Sequence, residues 1–354
     1  MGVDKQAVTE ARKKAREAAS DRIKQAQQWS PESLAEAVCA GNRDALAQAI
    51  TWVESAAPDH QRRIESLLSH LPQPGNSLRV GLTGIPGVGK STFIERFGID
   101  ALAQGRRVAV LAVDPTSQRT GGSLLGDKTR MQQLSMHPDA FVRPSAAAST
   151  LGGVARATAE AIHLCEAAGY DLILVETVGV GQSEVTVRDM VDVFLLLLIG
   201  GAGDEVQGIK RGVVEMADLV VVHKADGDRE AACRSTKGAY QQALHLLPTP
   251  PSGVSPEVLL ASSLTGNGHD DVWSQLHSLV DQWKASGWWE AQRRSQRLEA
   301  MERHARELLL EAHLNAKASL WQSLKYAVEN QSLNAYSAAR RWVLGESNDQ
   351  EPTS

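Results

Sequence analysis

Cysteine is scarce in this sequence, and its cysteines form no metal or redox motif. Cys39, Cys165 and Cys233 are far apart in the chain and make no C-x-x-C pair. An odd number of isolated cysteines argues against a disulfide framework and against a zinc knuckle. We therefore expect a protein of a reducing compartment, whose thiols behave as small hydrophobic side chains.

Long hydrophobic runs are also absent. The longest apolar stretch, Val193–Ile199, is far shorter than the roughly 20 residues that a membrane-spanning helix needs. Residues 1–30 mix acidic with basic side chains and contain no apolar segment, which argues against a secretory signal and a mitochondrial transit peptide. The sequence thus predicts a cytoplasmic protein that does not enter a membrane.

The chain has no excess of positive charge. Lysine and arginine together number 37, aspartate and glutamate 42, and the formal net charge is −5. Because nucleic-acid phosphates attract basic surfaces, this balance argues against a nucleic-acid partner. The 354 residues, 42% apolar and 22% charged, are ordinary for a soluble globular protein of one large or two modest domains.

Hydrophobic periodicity indicates helical segments at both ends of the chain and a central region in which strand and helix patterns alternate. Residues 31–71 carry apolar side chains mostly three and four apart, behind Ser30-Pro31, which is typical of a helix start. From residue 288 onward the pattern is helical again, with an approximate heptad seam that packs either on its own domain or on a second subunit. We predict an N-terminal helical segment at 1–75, a central domain at 76–285, and a C-terminal helical arm with a polar tail at 286–354.

Short apolar runs in the central domain alternate with helical stretches. The runs are Leu78–Thr83, Val108–Val113, Leu172–Val175, Val193–Ile199, Leu219–Val222 and Val258–Leu260. Continuous apolar strands separated by helices predict a mainly parallel sheet that helices cover on both faces. The predicted fold class is therefore α/β, with helical extensions at both ends.

The phosphate-binding motif G-x-x-x-x-G-K-[ST] is complete in Gly84–Ser91, between the first predicted strand and a predicted helix. Its glycines let the backbone wrap a phosphate with N–H groups, and the helix adds its positive amino-terminal dipole. In such motifs the lysine, here Lys90, reaches the β- and γ-phosphates, and the Ser91 hydroxyl binds Mg²⁺. The motif predicts a P-loop NTPase domain, whose nucleotide contacts here are Gly84, Gly87, Val88, Gly89, Lys90, Ser91 and Thr92.

Three acidic residues are candidates for completing the Mg²⁺ site. Asp114 ends the second predicted strand, Glu176 ends the third, and Asp127 lies in a glycine-rich loop. Ligands of open α/β sheets lie at the carboxyl ends of strands, so we expect the first two carboxylates near the phosphate turn. Because Mg²⁺ keeps several waters, some of the three are expected to act through water. The backbone N–H of Gly179 is a candidate contact for the γ-phosphate.

A weaker motif predicts which base the site selects. The strand Leu219–Val222 runs into His223-Lys-Ala-Asp226, whereas the guanine-specific pattern is N-K-x-D. Asp226 favours guanine, since its carboxylate accepts bonds from guanine N1 and N2, and Lys224 would stack on the base. Taken alone, the tetrapeptide is equally consistent with a surface turn. The predicted loop for guanine O6, which follows the last strand, is Ser262, Ser263 and Leu264.

Three longer stretches carry a more specific pattern, at Val113–Met131, Val175–Glu184 and Gly200–Lys210. They resemble the MeaB/ArgK family of G-protein chaperones for adenosylcobalamin-dependent acyl-CoA mutases, to which the human methylmalonic aciduria type A protein belongs. The resemblance runs in order from about residue 33 to 345. It implies a GTPase, slow alone and stimulated by its partner mutase, that gates adenosylcobalamin loading and protects or reactivates that mutase. The cobalamin would belong to the partner, and the C-terminal helices would form a homodimer.

The resemblance also implies roles for individual residues. The catalytic set would be Lys90, Asp127 and Glu176, and the metal ligands Ser91, Asp114, Asp127 and Glu176. Gly121–Arg130 resembles switch I, the stretch after Glu176 resembles switch II, and Asp204–Lys210 resembles switch III. The residues expected to signal nucleotide state to the partner are Arg130, Asp204, Glu205, Gln207 and Lys210.

Other functions stay open on the residues themselves. A nickel metallochaperone GTPase shares the sheet and the P-loop but needs a Cys/His cluster, whereas the histidines here are scattered. A phosphotransferase needs a general base beside a substrate hydroxyl or amine. A purely structural partner of a mutase would need no intact P-loop. His223 stands where the family has Asn, and that Asn normally ties the base loop to the P-loop. Lys224 and Asp226 keep the rest of the guanine pattern.

Overall fold

The computed structural model describes residues 29–55, 57–73, 75, 77–113, 131–144, 151–177, 183–201 and 211–345. The chain divides into two compact units, one up to Arg293 and one from Arg294 on. Over the residues so described, the helices are each too short or too polar to cross a bilayer. The first unit contains the sheet and the helices that cover it.

In its described part before the sheet, the chain forms the helices α1 (Pro31–Cys39), α2 (Arg43–Glu54) and α3 (Pro58–Ser69). The predicted helix start at Ser30 is confirmed, because its side chain accepts a hydrogen bond from the Ser33 amide and the Ser30 amide donates one to the Ser33 hydroxyl. The apolar faces of these helices form no separate core. Leu34 and Leu46 are buried in the same cluster as the strand residue Ala109. The N-terminal helices therefore cover one face of the sheet.

Within the described residues, one sheet holds seven parallel strands: β1 (Leu78–Gly84), β2 (Val108–Val113), β3 (Ala140–Pro144), β4 (Leu172–Thr177), β5 (Val193–Ile199), β6 (Leu219–His223) and β7 (Glu257–Ala261). Their order is β3-β2-β4-β1-β5-β6-β7, and every neighbouring pair is parallel. All six predicted runs form strands, which confirms the α/β class. The edge strand β3 was missed, because Arg143 and Pro144 interrupt its short apolar run.

Helices cover both faces of the sheet. They are α4 (Lys90–Ala103), α5 (Gln132–Met136), α6 (Leu151–Ala167), α7 (Ser183–Arg188), α8 (Arg211–Met216), α9 (Glu230–His245) and α10 (His269–Ser286), with a 3-10 turn at Gly227–Arg229. Phe93 of α4 and Trp283 of α10 are buried over one face, whereas α6 packs with the N-terminal helices. Strand β1 lies between β4 and β5, so the turn that follows it is flanked by their carboxyl ends.

A buried ion pair fixes the start of α11 (Trp288–Ala316) to the amino ends of the strands. The guanidinium of Arg293 donates to both carboxylate oxygens of Asp192, at 2.7 Å each. It also donates to the carbonyl oxygens of Gly75 at 2.9 Å and Ser77 at 2.6 Å. Both charged side chains are buried. This network lies at the edge of the sheet opposite to the turn after β1.

The second unit comprises the rest of α11 together with α12 (Ala318–Glu329) and α13 (Ala335–Leu344). Its small core centres on Trp342, whose ring lies 4.7 Å from His313 and 4.4 Å from Trp321 between centroids. Leu308 and Leu309 are 61% and 72% exposed. The predicted boundaries near 75 and 285, and the role of this unit as a dimerisation arm, stay predictions.

Candidate nucleotide site

The turn between β1 and α4 needs glycine for its backbone and for its close neighbours. Gly87 and Gly89 have φ angles of +83° and +97°, which side-chain-bearing residues rarely adopt. A Cβ on Gly89 would lie 2.9 Å from the His223 ring, and a Cβ on Gly84 would lie 2.5 Å from the Leu197 carbonyl oxygen. Helix α4 begins directly after the turn, so its free N–H groups and its positive dipole end face that turn.

Lys90 begins α4 with its ammonium group folded back onto the turn. Its Nζ donates to the Gly84 carbonyl oxygen at 2.7 Å, and the side chain is buried. Burial lowers the pKa of Lys90, and the nearby carboxylates of Glu176 and Glu184 oppose that shift. A buried cation that is held by a neutral carbonyl is well placed to move onto an anionic phosphate.

Ser91 and Glu176 come together beside the same turn. The Ser91 hydroxyl donates to Glu176 Oε1 at 3.4 Å, and strand register pairs Glu176 with Leu82 of β1. A hydroxyl next to a buried carboxylate is the kind of oxygen donor set that Mg²⁺ prefers, so these two residues fit that ion. Over the part of the chain that is described, no three His, Cys, Asp or Glu side chains cluster to hold a metal. The other predicted ligands, Asp114 and Asp127, lie outside the described residues.

A cavity of about 460 Å³ lies next to the phosphate turn. Its walls come from the segments after β6 and β7, the two segments predicted to recognise the base. The lining residues are Thr92, His223, Lys224, Asp226, Gly227, Asp228, Arg229, Ser263 and Leu264. Because Thr92 follows the phosphate-binding motif directly, the cavity and the turn share one edge of the sheet.

Hydrogen bonds within the chain hold Lys224 and Asp226 in place. Lys224 Nζ donates to the Gly87 carbonyl oxygen at 2.7 Å, and Lys224 itself has φ of +61°, in the left-handed region. Such backbone strain is concentrated at functional sites. The hydroxyl of the fully buried Ser262 donates to Asp226, so this carboxylate is oriented at the wall of the cavity.

His223 ends β6 and is buried against the phosphate turn. Its Nδ1 lies 2.9 Å from the Val88 carbonyl oxygen, and its Nε2 lies 2.8 Å from Ser263 Oγ. Burial is the largest influence and lowers the pKa of His223, although the bond to Val88 opposes the shift. The sequence indicated a departure from the guanine motif at the position whose Asn ties the base loop to the P-loop in the family, and the structure shows that His223 contacts the turn directly.

The structure brings the described predicted residues to the carboxyl edge of the sheet: Gly84, Gly87, Val88, Gly89, Lys90, Ser91, Thr92, Glu176, Lys224, Asp226, Ser262, Ser263 and Leu264. Those outside the described residues are Asp114, Asp127, Arg130, Gly179, Asp204, Glu205, Gln207 and Lys210. The individual roles of both sets stay predictions. Sequence reasoning missed Gly227, Asp228 and Arg229 in the cavity wall, and their position directly after Asp226 was the available signal.

Comparison with known proteins identifies the family. The family model described as methylmalonyl-CoA mutase-associated GTPase MeaB matches residues 46–318. A protein of Caulobacter vibrioides named "Putative GTPase" is 51% identical over 313 residues, which are 88% of this chain and 96% of that protein. The "Methylmalonic aciduria type A homolog, mitochondrial" of Mus musculus is 50% identical over 267 residues, which are 72% of this chain and 64% of that protein.

A solved structure confirms the fold as well. The crystal structure of an LAO/AO transport system kinase has a TM-score of 0.68 and 35% sequence identity to this chain, and the match covers 89% of this chain and 97% of that one. The architecture, the complete phosphate motif and the sequence matches thus agree with the resemblance that the switch-like segments indicated. The chain belongs to the MeaB family of GTPases.

Proposed function

We propose that this GTPase is a switch protein that gates adenosylcobalamin loading onto a partner acyl-CoA mutase and protects or reactivates that mutase. The family description and the name of the mouse relative support a link to methylmalonyl-CoA metabolism. The client is an adenosylcobalamin-dependent acyl-CoA mutase, and the cobalamin is bound by that partner. A homodimer formed through the C-terminal helices and a cytoplasmic location belong to the same proposal.

The observation that carries the proposal is that the phosphate turn and the base cavity are neighbours joined by a hydrogen bond. Lys224 bonds to the turn at Gly87, and Asp226 lies in the cavity wall. A guanine in this cavity would give its N1 and N2 hydrogens to the Asp226 carboxylate, whereas adenine has no matching pair of donors. The site therefore favours GTP over ATP.

Hydrolysis in this site rests on positioning and charge. Lys90 would leave the Gly84 carbonyl and donate to the β- and γ-phosphate oxygens, next to the N–H groups at the start of α4. Ser91 and Glu176 would hold Mg²⁺ directly or through water, and the ion would neutralise phosphate charge. The rate would be low without the mutase, and the partner would order the predicted switch segments.

The test combines phosphate release with phosphate transfer. The purified chain is incubated with Mg²⁺ and GTP labelled at the γ-phosphate, alone and with each candidate mutase: the methylmalonyl-, ethylmalonyl-, isobutyryl- and hydroxyisobutyryl-CoA enzymes. We expect slow release of labelled phosphate, faster release with one mutase, and no release by the Lys90→Ala variant. Labelled ATP serves as the control for base selection.

Two results would overturn the proposal. Label that appears on a protein or a small acceptor would indicate a phosphotransferase. Release that no mutase accelerates, together with unchanged adenosylcobalamin transfer to the mutase with and without this chain, would remove the switch function and leave only a GTPase.

A further inference from the structure

Helix α5 is too short to hold itself in place. It has only five residues, and an isolated helix of that length is not stable in water. Met131 occupies its N-cap position and gives no side-chain hydrogen bond to the first amides of the helix. The position of α5 therefore depends on its packing against the rest of the domain, mainly against α4 and the edge strand β3.

Glu95 of α4 supplies the missing cap from a distant part of the sequence. Its Oε1 accepts a hydrogen bond from the Gln133 amide at 2.7 Å, and its Oε2 accepts one from the Leu134 amide at 3.4 Å. The first amides of a helix have no partner within that helix, and a carboxylate at this end also interacts favourably with the helix dipole. Because the acceptor is charged, these bonds are stronger than bonds between neutral groups. Glu95 thus fixes the start of α5.

Close packing holds α5 against the same face of α4. Leu134 is fully buried, and a Cβ added to Gly98 would lie 2.8 Å from each of its two terminal methyl carbons. Glu95 and Gly98 are three residues apart on α4, so they lie on one face of that helix. Ser91 lies on this face as well, one turn before Glu95. The face that holds α5 therefore begins at a predicted Mg²⁺ ligand.

This contact lies next to the segment Gly121–Arg130, which is predicted to be switch I. Met131 follows that segment directly, and the predicted ligand Asp127 is four residues before Met131. One helical turn separates Ser91 from Glu95, which is about 6 Å along α4. Four residues of extended chain span up to about 14 Å. An anchor at Glu95 thus keeps the end of predicted switch I within reach of the metal site.

We propose that Glu95 is a positioning residue for GTP hydrolysis, which anchors the end of predicted switch I to the helix that begins at the phosphate turn. This inference rests on the proposed function, because hydrolysis in that scheme needs an ordered switch I. A segment with one end already tied down loses fewer conformations when Mg²⁺ and the γ-phosphate order it. Glu95 itself touches neither the nucleotide nor the ion in this scheme and acts only through α5.

The first experiment measures GTP hydrolysis and the equilibrium Kd for GDP in the full chain. We expect Glu95→Ala to lower kcat about tenfold and to change the Kd for GDP less than about twofold, since α5 forms no part of the base cavity wall. Glu95→Gln should give an intermediate kcat, because its amide oxygen still accepts a bond but carries no charge. Asp100→Ala is the matched control and should hydrolyse GTP as the wild type does, because this acidic residue of α4 pairs with Arg96 instead of α5.

Hydrogen exchange tests the anchor without any catalytic readout. NMR of the nucleotide-free full chain resolves the exchange of the Gln133 and Leu134 amides, which Glu95 accepts. We expect both amides to exchange at least about tenfold faster in Glu95→Ala than in the wild type and in Asp100→Ala. The amides of the central strand β1 should keep their wild-type exchange rates, which shows that the fold is intact.

A second variant perturbs the same contact without removing a charge. Alanine favours a helix by about 1 kcal/mol relative to glycine, so Gly98→Ala does not weaken α4 itself. The new Cβ displaces Leu134, so we expect faster exchange of the α5 amides and a kcat about threefold lower. This variant keeps the inference testable even where Glu95→Ala fails to fold.

Three results would overturn the inference. The first is a wild-type kcat in Glu95→Ala, and the second is wild-type exchange of the α5 amides in that variant. The third is a Kd for GDP that rises as much as kcat falls, which would make Glu95 a support of the whole site. Wild-type protein that neither binds GDP nor hydrolyses GTP would refute the proposed function instead.

Discussion

Replacing Asp226 by Asn tests base recognition most selectively, because it removes one charge and keeps the shape of the side chain. In the structure Ser262 orients the Asp226 carboxylate at the wall of the cavity, where guanine would present its N1 and N2 hydrogens. Hydrogen bonds to a charged group contribute about 1.5–3 kcal/mol each. The asparagine oxygen can still accept from N1, but the bond from N2 is lost and the remaining bond has no charge to strengthen it. GDP affinity should therefore fall by about 1.5–3 kcal/mol, or roughly one to two orders of magnitude.

The same variant should gain affinity for xanthosine diphosphate. Xanthine carries a carbonyl oxygen where guanine carries the 2-amino group, and the asparagine amide can donate to that oxygen. The assay is competition of GDP and xanthosine diphosphate against a fluorescent GDP analogue, with thermal melting as a check on folding. Asp228→Asn is the matched control, because it removes the same charge from an exposed residue of the same cavity wall.

Three outcomes would refute this reasoning. An Asp226→Asn variant that binds GDP like the wild type would show that the carboxylate does not contact the base. A variant that loses GDP, gains no xanthosine diphosphate and melts at a lower temperature would assign Asp226 a structural role beside Ser262. A large loss of affinity in Asp228→Asn would show that overall charge, rather than the position of Asp226, governs binding.

Three further predictions concern pH, metal and folding. Burial, the largest cause, lowers the pKa of His269 from 6.5 to about 4, so between these pH values the unfolded chain binds a proton that the folded chain does not. The free energy of unfolding, measured in urea, should therefore fall by up to about 3 kcal/mol between pH 7 and pH 4, and by less in a His269→Gln variant. Glu176→Gln and Ser91→Ala should each raise the Mg²⁺ concentration that half-saturates GTP hydrolysis, by about tenfold or more, and EDTA should stop the wild-type reaction. Arg293→Met leaves Asp192 buried without its cation and should cost about 3–5 kcal/mol of unfolding free energy, with an unchanged Kd for GDP because the pair lies at the opposite edge of the sheet.

Each of these predictions can fail in a defined way. A His269→Gln variant with the same pH profile as the wild type would place the acid sensitivity elsewhere. Unchanged Mg²⁺ dependence in Glu176→Gln would remove this carboxylate from the metal site. A Kd for GDP that rises in Arg293→Met would show that the two edges of the sheet are not independent.

The sheet was largely predictable because its strands are buried on both faces. β5 and β6 are almost uninterrupted runs of Val, Leu and Ile, and such runs have few alternatives to a central parallel strand. The edge strand β3 was not predicted, because its apolar run is short: the charged, half-buried Arg143 follows Val142, and Pro144 ends the strand. Edge strands carry fewer apolar residues, so their pattern resembles that of a loop.

The phosphate turn was predictable from its residues, whereas the base pocket was predictable only in part. The motif at Gly84–Ser91 determines its backbone conformation locally, because its glycines adopt positive φ angles and a helix follows directly. The contacts of His223 depend on three segments that meet only in the folded chain. No local pattern indicates that Val88 and Ser263 lie on opposite sides of its ring. The sequence therefore indicated a departure at this position, and only the structure shows which atoms the histidine contacts.

The most direct test of the account is a crystal structure of the full chain grown with Mg²⁺ and a non-hydrolysable GTP analogue. We predict that Lys90 Nζ leaves the Gly84 carbonyl oxygen and contacts the β- and γ-phosphates, while the guanine occupies the cavity against Asp226. A structure in which Lys90 still bonds to Gly84, with the phosphates bound elsewhere or the cavity without the base, would contradict it.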